Sequence, residues 1–285
     1  MKALRNFLRD VSAQFRRPGG LLPRLACVLR FWAGYEWARL KGKSQGDSRL
    51  AAMAGLAGRG LNASTVTTRT AGGLSIELDV FSAVYLLQEI VDEGTYRAPG
   101  FVPEAGWTVV DVGAHQGIFT LDCARRVGPA GRVLAVEPFP FNRALLERNV
   151  KANGLAWVAV SPFAAAEARE TKTFYVTPYS TGWQSLVFTG DARVPTQVEA
   201  ERLDAVLSAQ GMARVDLLKV DVEGAWRLVF AGAPALLARR PRIVMEVEGD
   251  EAEVAAATAR LRELGYAVDR RDSVLFGTPT AAERP

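Results

Sequence analysis

The stretch Val109–Gly117, V-V-D-V-G-A-H-Q-G, decides the fold. Apolar residues lead into Asp111, two glycines follow at a Gly-x-x-x-Gly spacing, and a helical pattern begins directly afterwards. A strand, a glycine turn and a helix in this order bring the backbone close to a ligand. Because Gly113 and Gly117 lack side chains, we expect the chain to turn there and a ligand to lie against it.

The glycine spacing and a distant acid indicate the kind of ligand. Dinucleotide sites use G-x-G-x-x-G to hold a pyrophosphate, and this stretch has a different spacing. Glu137 stands 20 residues after Gly117, where a carboxylate can accept hydrogen bonds from both ribose hydroxyls of an adenosine. Together they predict an adenosine ligand without phosphates, such as a sulfonium cofactor. The alternative is that Asp111 caps a turn and Glu137 is a surface acid.

Alternating strand and helix patterns continue along the chain and predict an α/β fold with a mostly parallel sheet covered on both faces. The last two strands, Tyr266–Val268 and Val274–Phe276, are joined by Asp269–Ser273, which is too short for a crossover helix. The last strand should therefore be antiparallel. The same pattern predicts a strand at Thr173–Val176 and a helix at Val229–Ala238.

Three regions follow from the composition of the chain. Residues 1–60 form a basic, helical N-terminal extension that includes a small and polar linker from residue 42. Residues 61–100 hold an alternating, Thr-rich hairpin and a helix at Phe81–Glu93 that lead into the core. Residues 101–280 form the main domain with its strand–helix rhythm.

Charge is distributed unevenly between these regions. Residues 1–43 carry ten basic and two acidic side chains, a net charge of +8, which leaves −4 for the remainder given the overall +4. Such a segment could form a peripheral contact with an anionic partner, or it could be a solvated helical face. Leu21–Leu40 is interrupted by charges, which argues against a membrane span.

The two cysteines, Cys27 and Cys123, are far apart in sequence and form no metal-binding pattern. This usage is typical of a reducing compartment. Residues 1–20 lack the uninterrupted apolar run of a secretory signal. We therefore expect a cytoplasmic protein.

With these motifs the sequence resembles the FkbM-type S-adenosylmethionine-dependent methyltransferases over about residues 89–250. The resemblance rests on D-V-G-A-H-Q-G at 111–117, G-R-V-L-A-V-E-P at 131–138 and D-L-L-K-V-D-V-E-G at 216–224. It implies a Rossmann-like class I methyltransferase fold, with a seven-stranded, mostly parallel sheet whose last strand is antiparallel. It also implies O-methylation of a hydroxyl on a sugar, polyketide or other secondary metabolite.

The expected cofactor, S-adenosylmethionine, would be held around the glycine loop and Glu137. Phe139 or Phe141 could flank the adenine, or both could be core residues at the start of a helix; the resemblance places Phe163 and Ala164 near the adenine. The full set of predicted cofactor-binding residues is Asp111, Gly113, Ala114, His115, Gly117, Glu137, Pro138, Phe139, Asn142, Phe163, Ala164 and Asp221. His115 stands where the family usually has asparagine. Both side chains can hydrogen-bond a ligand, and the imidazole is also a conceivable base.

The end of the fourth strand supplies the remaining catalytic candidates. If the strand stays extended, alternation places Lys219, Asp221 and Glu223 on one side. Ligands of open α/β sheets bind at this end, so Asp221 and Glu223 should border the acceptor, one of them taking its proton. Lys219 would neutralise the pair or orient the acceptor. The alternative is a structural salt-bridge cluster, and Glu246 could complete either arrangement; we predict no metal.

Other functions remain open from sequence. A nicotinamide-dependent oxidoreductase shares the strand–turn–helix and the distant acid, and the methyl acceptor could be a nitrogen or a carboxylate. Nucleic acid is not expected as a partner, because the body is net negative and an N-P-P-[YF] motif does not follow the fourth strand. The expected partner is a small-molecule acceptor, whose site should be lined by residues 62–96 and by the loop 178–191. The chain could also form a homo-oligomer.

Overall fold

The computed structural model describes residues 2–15, 20–42, 52, 64–70, 72–177, 182, 184–187 and 194–280. The chain forms two compact units. The first comprises Met1–Gly94 with Val176–Trp183 and Asp191–Val194, and the second comprises the rest. Most of the predicted linker at 42–60 and of the predicted acceptor loop at 178–191 lies outside the described residues.

The described part of the first unit begins with two long helices and a β-hairpin. Helices α1 (Lys2–Phe15) and α2 (Leu21–Leu40) precede strands β1 (Thr65–Arg69) and β2 (Ser75–Asp79). The strands pair antiparallel with Thr65 opposite Asp79, which confirms the predicted hairpin. The buried guanidinium of Arg24 donates from α2 to Thr68 Oγ1 of β1 over 2.8 Å. This bond satisfies part of a charge that would otherwise be costly to bury.

The helix predicted at Phe81–Glu93 is present in two pieces. An α-helix, α3, covers Val80–Val84, and a π-helix covers Gln88–Glu93. The side chain of Asp79 caps α3 by accepting from Ser82 N over 3.0 Å. The chain leaves the π-helix through Gly94, whose φ of 71° lies in the left-handed region.

The second unit is built on a seven-stranded sheet with spatial order β5-β4-β3-β9-β10-β12-β11. The strands are β3 (Thr108–Val112), β4 (Arg132–Val136), β5 (Val158–Ser161), β9 (Leu217–Val220), β10 (Arg242–Glu246), β11 (Tyr266–Arg271) and β12 (Val274–Pro279). Those from β5 to β10 pair parallel, whereas β12 runs antiparallel to both of its neighbours. The predicted sheet and its antiparallel last strand are confirmed.

Apolar residues explain why these strands form the centre of the unit. All four residues of β9 are buried, and most of β3, β4 and β10 is buried too. Continuous burial of this kind is typical of a parallel sheet covered on both faces. The helices of this unit are α4 (Ile118–Val127), α5 (Pro140–Ala152), α6 (Leu203–Ala209), α7 (Trp226–Ala231), α8 (Pro234–Ala238) and α9 (Glu251–Glu263).

Two features of this unit differ from the sequence prediction. A three-stranded sheet, ordered β6-β8-β7, contains β6 (Ala164–Ala165), β7 (Glu170–Val176) and β8 (Val194–Glu201), of which only the end of β7 was expected. The helix expected at Val229–Ala238 is divided at Gly232, where a Cβ atom would lie 1.9 Å from the carbonyl oxygen of Ala166. This close approach of two backbones, followed by Pro234, ends one helix and begins the next.

Both cysteines are free and buried. In the described part of the chain, no helix combines the length and the apolar composition that crossing a lipid bilayer requires.

Candidate active site

Two central strands deliver the predicted site residues to one edge of the sheet. Strands β3 and β9 pair parallel, with Asp111 opposite Lys219. Their carboxyl ends therefore meet, and the glycine loop after β3 lies beside the acidic segment after β9. This is the edge at which open α/β sheets bind ligands.

The glycine loop is fixed by main-chain contacts. The N–H groups of Gly113 and Ala114 both donate to the carbonyl of Val136, over 3.0 and 3.1 Å. Gly113 and Gly117 have φ values of 79° and 92°, as expected for a sharp turn. A Cβ atom at Gly113 would lie 1.7 Å from the Asp221 carbonyl oxygen, and one at Gly117 would lie 2.6 Å from Leu146. At both glycines, other protein atoms therefore occupy the position that a Cβ atom would need.

Glu137 lies at the end of β4 with only 5% of its surface exposed. Its two carboxyl oxygens accept from the main-chain N–H groups of His115 and Phe139, each over 2.8 Å. Burial raises the pKa of Glu137 to about 7, although these two hydrogen bonds oppose the rise. A carboxylate has about four lone-pair sites, so capacity remains for a ligand's hydroxyl groups.

His115 has a backbone conformation that few residue types favour. Its φ is 52°, in the left-handed region, where asparagine, aspartate and histidine are the enriched non-glycine residues. The histidine found here therefore suits this position, as would the asparagine that the sequence resemblance implies. Its main-chain N–H binds Glu137, so the backbone of His115 helps hold the predicted ribose acceptor.

Asn142 joins a buried amide network behind the glycine loop. Its side chain accepts from Gln116 Nε2 over 3.3 Å and donates to Gln184 Oε1 over 3.4 Å. Asn149 donates to the carbonyl of Gln116 over 3.0 Å. Two asparagines of α5 thus anchor the loop, which gives Asn142 a supporting position.

The other predicted adenine-side residues lie close to Glu137. The main-chain N–H of Glu137 donates to the carbonyl of Ser161, and Phe163 follows two residues later. Phe163 and Phe139 are both half-buried, whereas Ala164 is buried. Pro138 accepts through its carbonyl from Arg143 over 2.9 Å.

Lys219 is a buried cation between two carboxylates. Its Nζ lies 3.2 Å from Asp111 Oδ1 and 3.1 Å from Asp221 Oδ2, and it donates to the Gly113 carbonyl over 2.9 Å. Burial alone would lower the pKa of Lys219, but the two carboxylates raise it above its usual value. Asp111 is fully buried and also accepts from Thr120 Oγ1 over 2.5 Å. Asp111 thus holds Lys219 from inside the protein.

Tyr96 connects two acids of neighbouring strands. Its hydroxyl lies 3.0 Å from Asp221 Oδ2 and 2.6 Å from Glu246 Oε2. A phenol has one proton, so it can donate to only one of the two carboxylates at a time. Burial, and then the charge of Asp221, raise the pKa of Glu246, whereas the hydrogen bond from Tyr96 lowers it.

The extended conformation expected as far as Glu223 is wrong, because β9 ends at Val220 and Glu223 has a φ of 52°. We had expected Lys219 to neutralise Asp221 and Glu223. Its ion pairs are instead with Asp111 and Asp221. The turn still brings Glu223 back towards Asp221: carboxyl oxygens of Asp221, Glu223 and Glu248 lie within 4.8 Å of one another. Acidic groups this close do not by themselves define a metal site, and we assign none.

Glu248 is a site residue that the sequence prediction missed. It accepts from the main-chain N–H of Gly224 over 2.8 Å. Burial, and then the charge of Asp221, raise its pKa to about 8. The alternation Glu246-Val247-Glu248 at the end of a buried strand was an available signal. Tyr96 lies 125 residues from Asp221 in the sequence, and no local pattern around it indicated that it belongs to the site.

These residues fit a cationic adenosine cofactor. Glu137 offers a buried acceptor for ribose hydroxyls, and the acids around Lys219 outnumber its single charge. An excess of negative charge suits a sulfonium group. The protein combines a parallel sheet that has one antiparallel strand, a glycine loop after the central strand β3 and an acid after the neighbouring strand β4. This combination defines a class I S-adenosylmethionine-dependent methyltransferase.

The chain belongs to the FkbM family of these enzymes. The family model described as the methyltransferase FkbM domain matches residues 111–268, more than half of the 285 residues. The nicotinamide-dependent oxidoreductase considered from sequence is thereby set aside.

Several relatives share this similarity. The AMB antimetabolite synthetase AmbE of Pseudomonas aeruginosa is 32% identical over 70% of this chain, which spans only 11% of AmbE. The methyltransferase sdnD of Sordaria araneosa is 32% identical over 44% of this chain and 59% of its own length. The 31-O-demethyl-FK506 methyltransferase FkbM of Streptomyces tacrolimicus is 28% identical over 74% of this chain and 92% of its own. A crystal structure of methyltransferase FkbM from Methylobacillus flagellatus superposes with a TM-score of 0.44 at 17% identity, over 60% of this chain and 43% of that one.

Proposed function

We propose that this methyltransferase acts on a hydroxyl group of a sugar, polyketide or other secondary metabolite. The observation that carries the proposal is the group of carboxyls after β9 and β10, beside the glycine loop. A hydroxyl must lose its proton during methylation, and a carboxylate within reach can accept it. The similarity to a 31-O-demethyl-FK506 methyltransferase supports an oxygen acceptor.

Asp221 is the base that we favour. Its side chain is 25% exposed, and Oδ2 is held by Lys219 and Tyr96. Its other oxygen, Oδ1, makes no hydrogen bond with the described residues and can face an acceptor. Glu223, close to Asp221, is the second candidate. Lys219 and Tyr96 act as positioning residues, because they fix the carboxylate that would receive the proton.

The cofactor, when bound, supplies an electrophilic methyl group. The residues of this chain then have two tasks, since a displacement of this kind depends mainly on positioning the reacting groups. Glu137 and the loop main chain hold the adenosine side, and Asp221 with Glu223 orients the acceptor hydroxyl and removes its proton. We include in this proposal the cofactor-binding residues predicted from the sequence. We also include the division of the chain into three regions, with boundaries at about residues 60 and 100.

Carboxamide variants of both acids test the assignment. Small metabolites incubated with the protein and S-adenosylmethionine are first screened for a product heavier by one CH₂ unit, and NMR identifies the methylated atom. With that acceptor, Asp221→Asn should lower kcat by about 10²–10⁴-fold, with adenosylhomocysteine affinity nearly unchanged. Glu223→Gln tests the second candidate in the same way.

Glu147→Gln, on the exposed face of α5, is the matched control and should turn over like the parent. If both site variants keep the parent kcat, the base assignment is wrong. A product methylated on nitrogen or on a carboxylate would contradict the hydroxyl acceptor while leaving the cofactor site intact.

A further inference from the structure

Helix α2 presents an apolar stripe away from its own unit. Four large side chains are mostly exposed: Leu22 (79%), Leu29 (53%), Trp37 (59%) and Leu40 (86%). At 3.6 residues per turn they fall within about 80° of one another around the helix axis. They therefore form one continuous stripe, which we call the α2 stripe.

The opposite side of α2 is the one that packs. Its buried residues are Arg24, Cys27, Val28 and Ala38, which point to the other side of the helix axis. Phe31 lies on the same side as these buried residues, and its ring centroid is 5.2 Å from that of Tyr85. The packing of α2 within its unit thus leaves the α2 stripe uncovered by the other described residues of that unit.

Cations border the α2 stripe. Arg30 and Lys41 are exposed on its flank, and Lys41 Nζ lies 3.8 Å above the ring of Trp37. Glu36 is exposed beside the stripe and is the only acid of the helix. The surrounding segment, residues 1–43, carries a net charge of +8. Exposed apolar side chains bordered by Lys and Arg, with a tryptophan at the boundary, suit a surface that contacts a membrane interface while the opposite face of the helix packs in the protein.

We propose that α2 docks the protein on the surface of an anionic lipid bilayer. The helix would lie in the plane of the interface, with Leu22, Leu29, Trp37 and Leu40 among the acyl chains. Arg30 and Lys41 would meet the lipid headgroups. This occupant complements the positive charge, whereas a second copy of the chain would bring two strongly basic segments together. The proposal does not depend on which acceptor is methylated.

Vesicle co-sedimentation of the full chain tests the proposal. We expect binding to phosphatidylcholine vesicles that contain phosphatidylglycerol, weak or no binding to phosphatidylcholine alone, and release by salt. Leu29→Ser with Trp37→Ser, and separately Arg30→Glu with Lys41→Glu, should each weaken binding at least about tenfold. Brominated lipid should quench tryptophan fluorescence in the parent and much less in Trp37→Phe.

Matched controls keep the result interpretable. Val194→Ser removes an exposed apolar side chain elsewhere, and Lys151→Glu reverses an exposed charge on α5; both should bind like the parent. Circular dichroism and adenosylhomocysteine affinity verify that every variant is folded.

Three results would overturn the proposal. The first is a parent protein that does not bind anionic vesicles at low salt. The second is an equal loss of binding in the controls. The third is a dimer, measured by light scattering, that the double serine variant turns into a monomer, because this would assign the α2 stripe to a second copy.

Discussion

The loops after β3 and β9 leave neighbouring strands at the same edge of the sheet, and they are built differently. Each contains a non-glycine residue with a φ of 52°, His115 in one and Glu223 in the other. The loop after β3 works through its main chain, whose N–H groups bind Val136 and Glu137. The segment after β9 works through charged side chains, with Lys219 between two carboxylates and Tyr96 on Asp221.

This difference separates what the fold provides from what the individual enzyme provides. Main-chain donors can serve a cofactor that all members of a family share, because they vary little with sequence. Side-chain carboxylates can change by a single substitution, so the acceptor chemistry can diverge there. Lys219 belongs to both regions, since it also donates to the Gly113 carbonyl.

The largest effect on stability should come from removing the ammonium group of Lys219, which connects the two loops. Lys219→Met leaves the buried carboxylate of Asp111 and the half-buried carboxylate of Asp221 without their cation, and we expect the free energy of unfolding to fall by about 3–5 kcal/mol. Chemical denaturation measures the loss. Lys151→Met, at an exposed site on α5, should change stability by less than about 0.5 kcal/mol. Equal free energies of unfolding for the two variants would mean that the positive charge of Lys219 does not stabilise the carboxylates beside it.

Glu137→Gln tests the loop after β3. An amide offers the ribose one acceptor oxygen in place of two, so adenosylhomocysteine affinity should fall roughly 10–100-fold, as calorimetry would show. Because the pKa of Glu137 is about 7, the parent should bind about tenfold more weakly near pH 6 than near pH 8. Affinity rises with pH, since the carboxylate is the form that accepts both hydroxyls. The glutamine variant should not show this pH dependence. If its affinity rises with pH as steeply as that of the parent, Glu137 is not the group responsible.

Tyr96→Phe tests the segment after β9 alone. Although burial dominates, the hydrogen bond from Tyr96 lowers the pKa of Glu246, so losing it should raise that pKa further. The acidic limb of the kcat profile should then move to higher pH, and kcat near neutrality should fall about tenfold. Adenosylhomocysteine affinity should stay constant. A loss of affinity with an unmoved pH profile would point to a purely structural tyrosine.

The smallest effect is expected at His115. Asparagine tolerates the same left-handed backbone, so His115→Asn should change kcat and cofactor affinity by less than about twofold. His115→Val, which is branched at Cβ, should cost about 1–2 kcal/mol of stability. A fall in kcat of about 100-fold or more in the asparagine variant alone would instead show that the imidazole is a base.

The sheet, the glycine turn and the acid after β4 were predictable because each depends on residues close together in sequence. Val109–Gly117 and Glu137 carry their own signals of periodicity and spacing. Tyr96 and Glu246 meet across 150 residues, a contact that only the folded sheet creates. The same limit explains the missed strands β6 and β8, whose pairing of Ala164 with Ala200 depends on tertiary packing. Glu223 was misplaced because its left-handed φ interrupts the alternation on which the prediction rested.

The contact between Gly113 and Asp221 also has a consequence for enzyme engineering. A Cβ atom at residue 113 would lie 1.7 Å from a backbone carbonyl, which cannot move without shifting the segment that carries the proposed base. A saturation library at this position should therefore return glycine alone. Selections for a new acceptor have to draw their diversity from the side chains after β9 and β10, where substitution changes chemistry without moving the backbone.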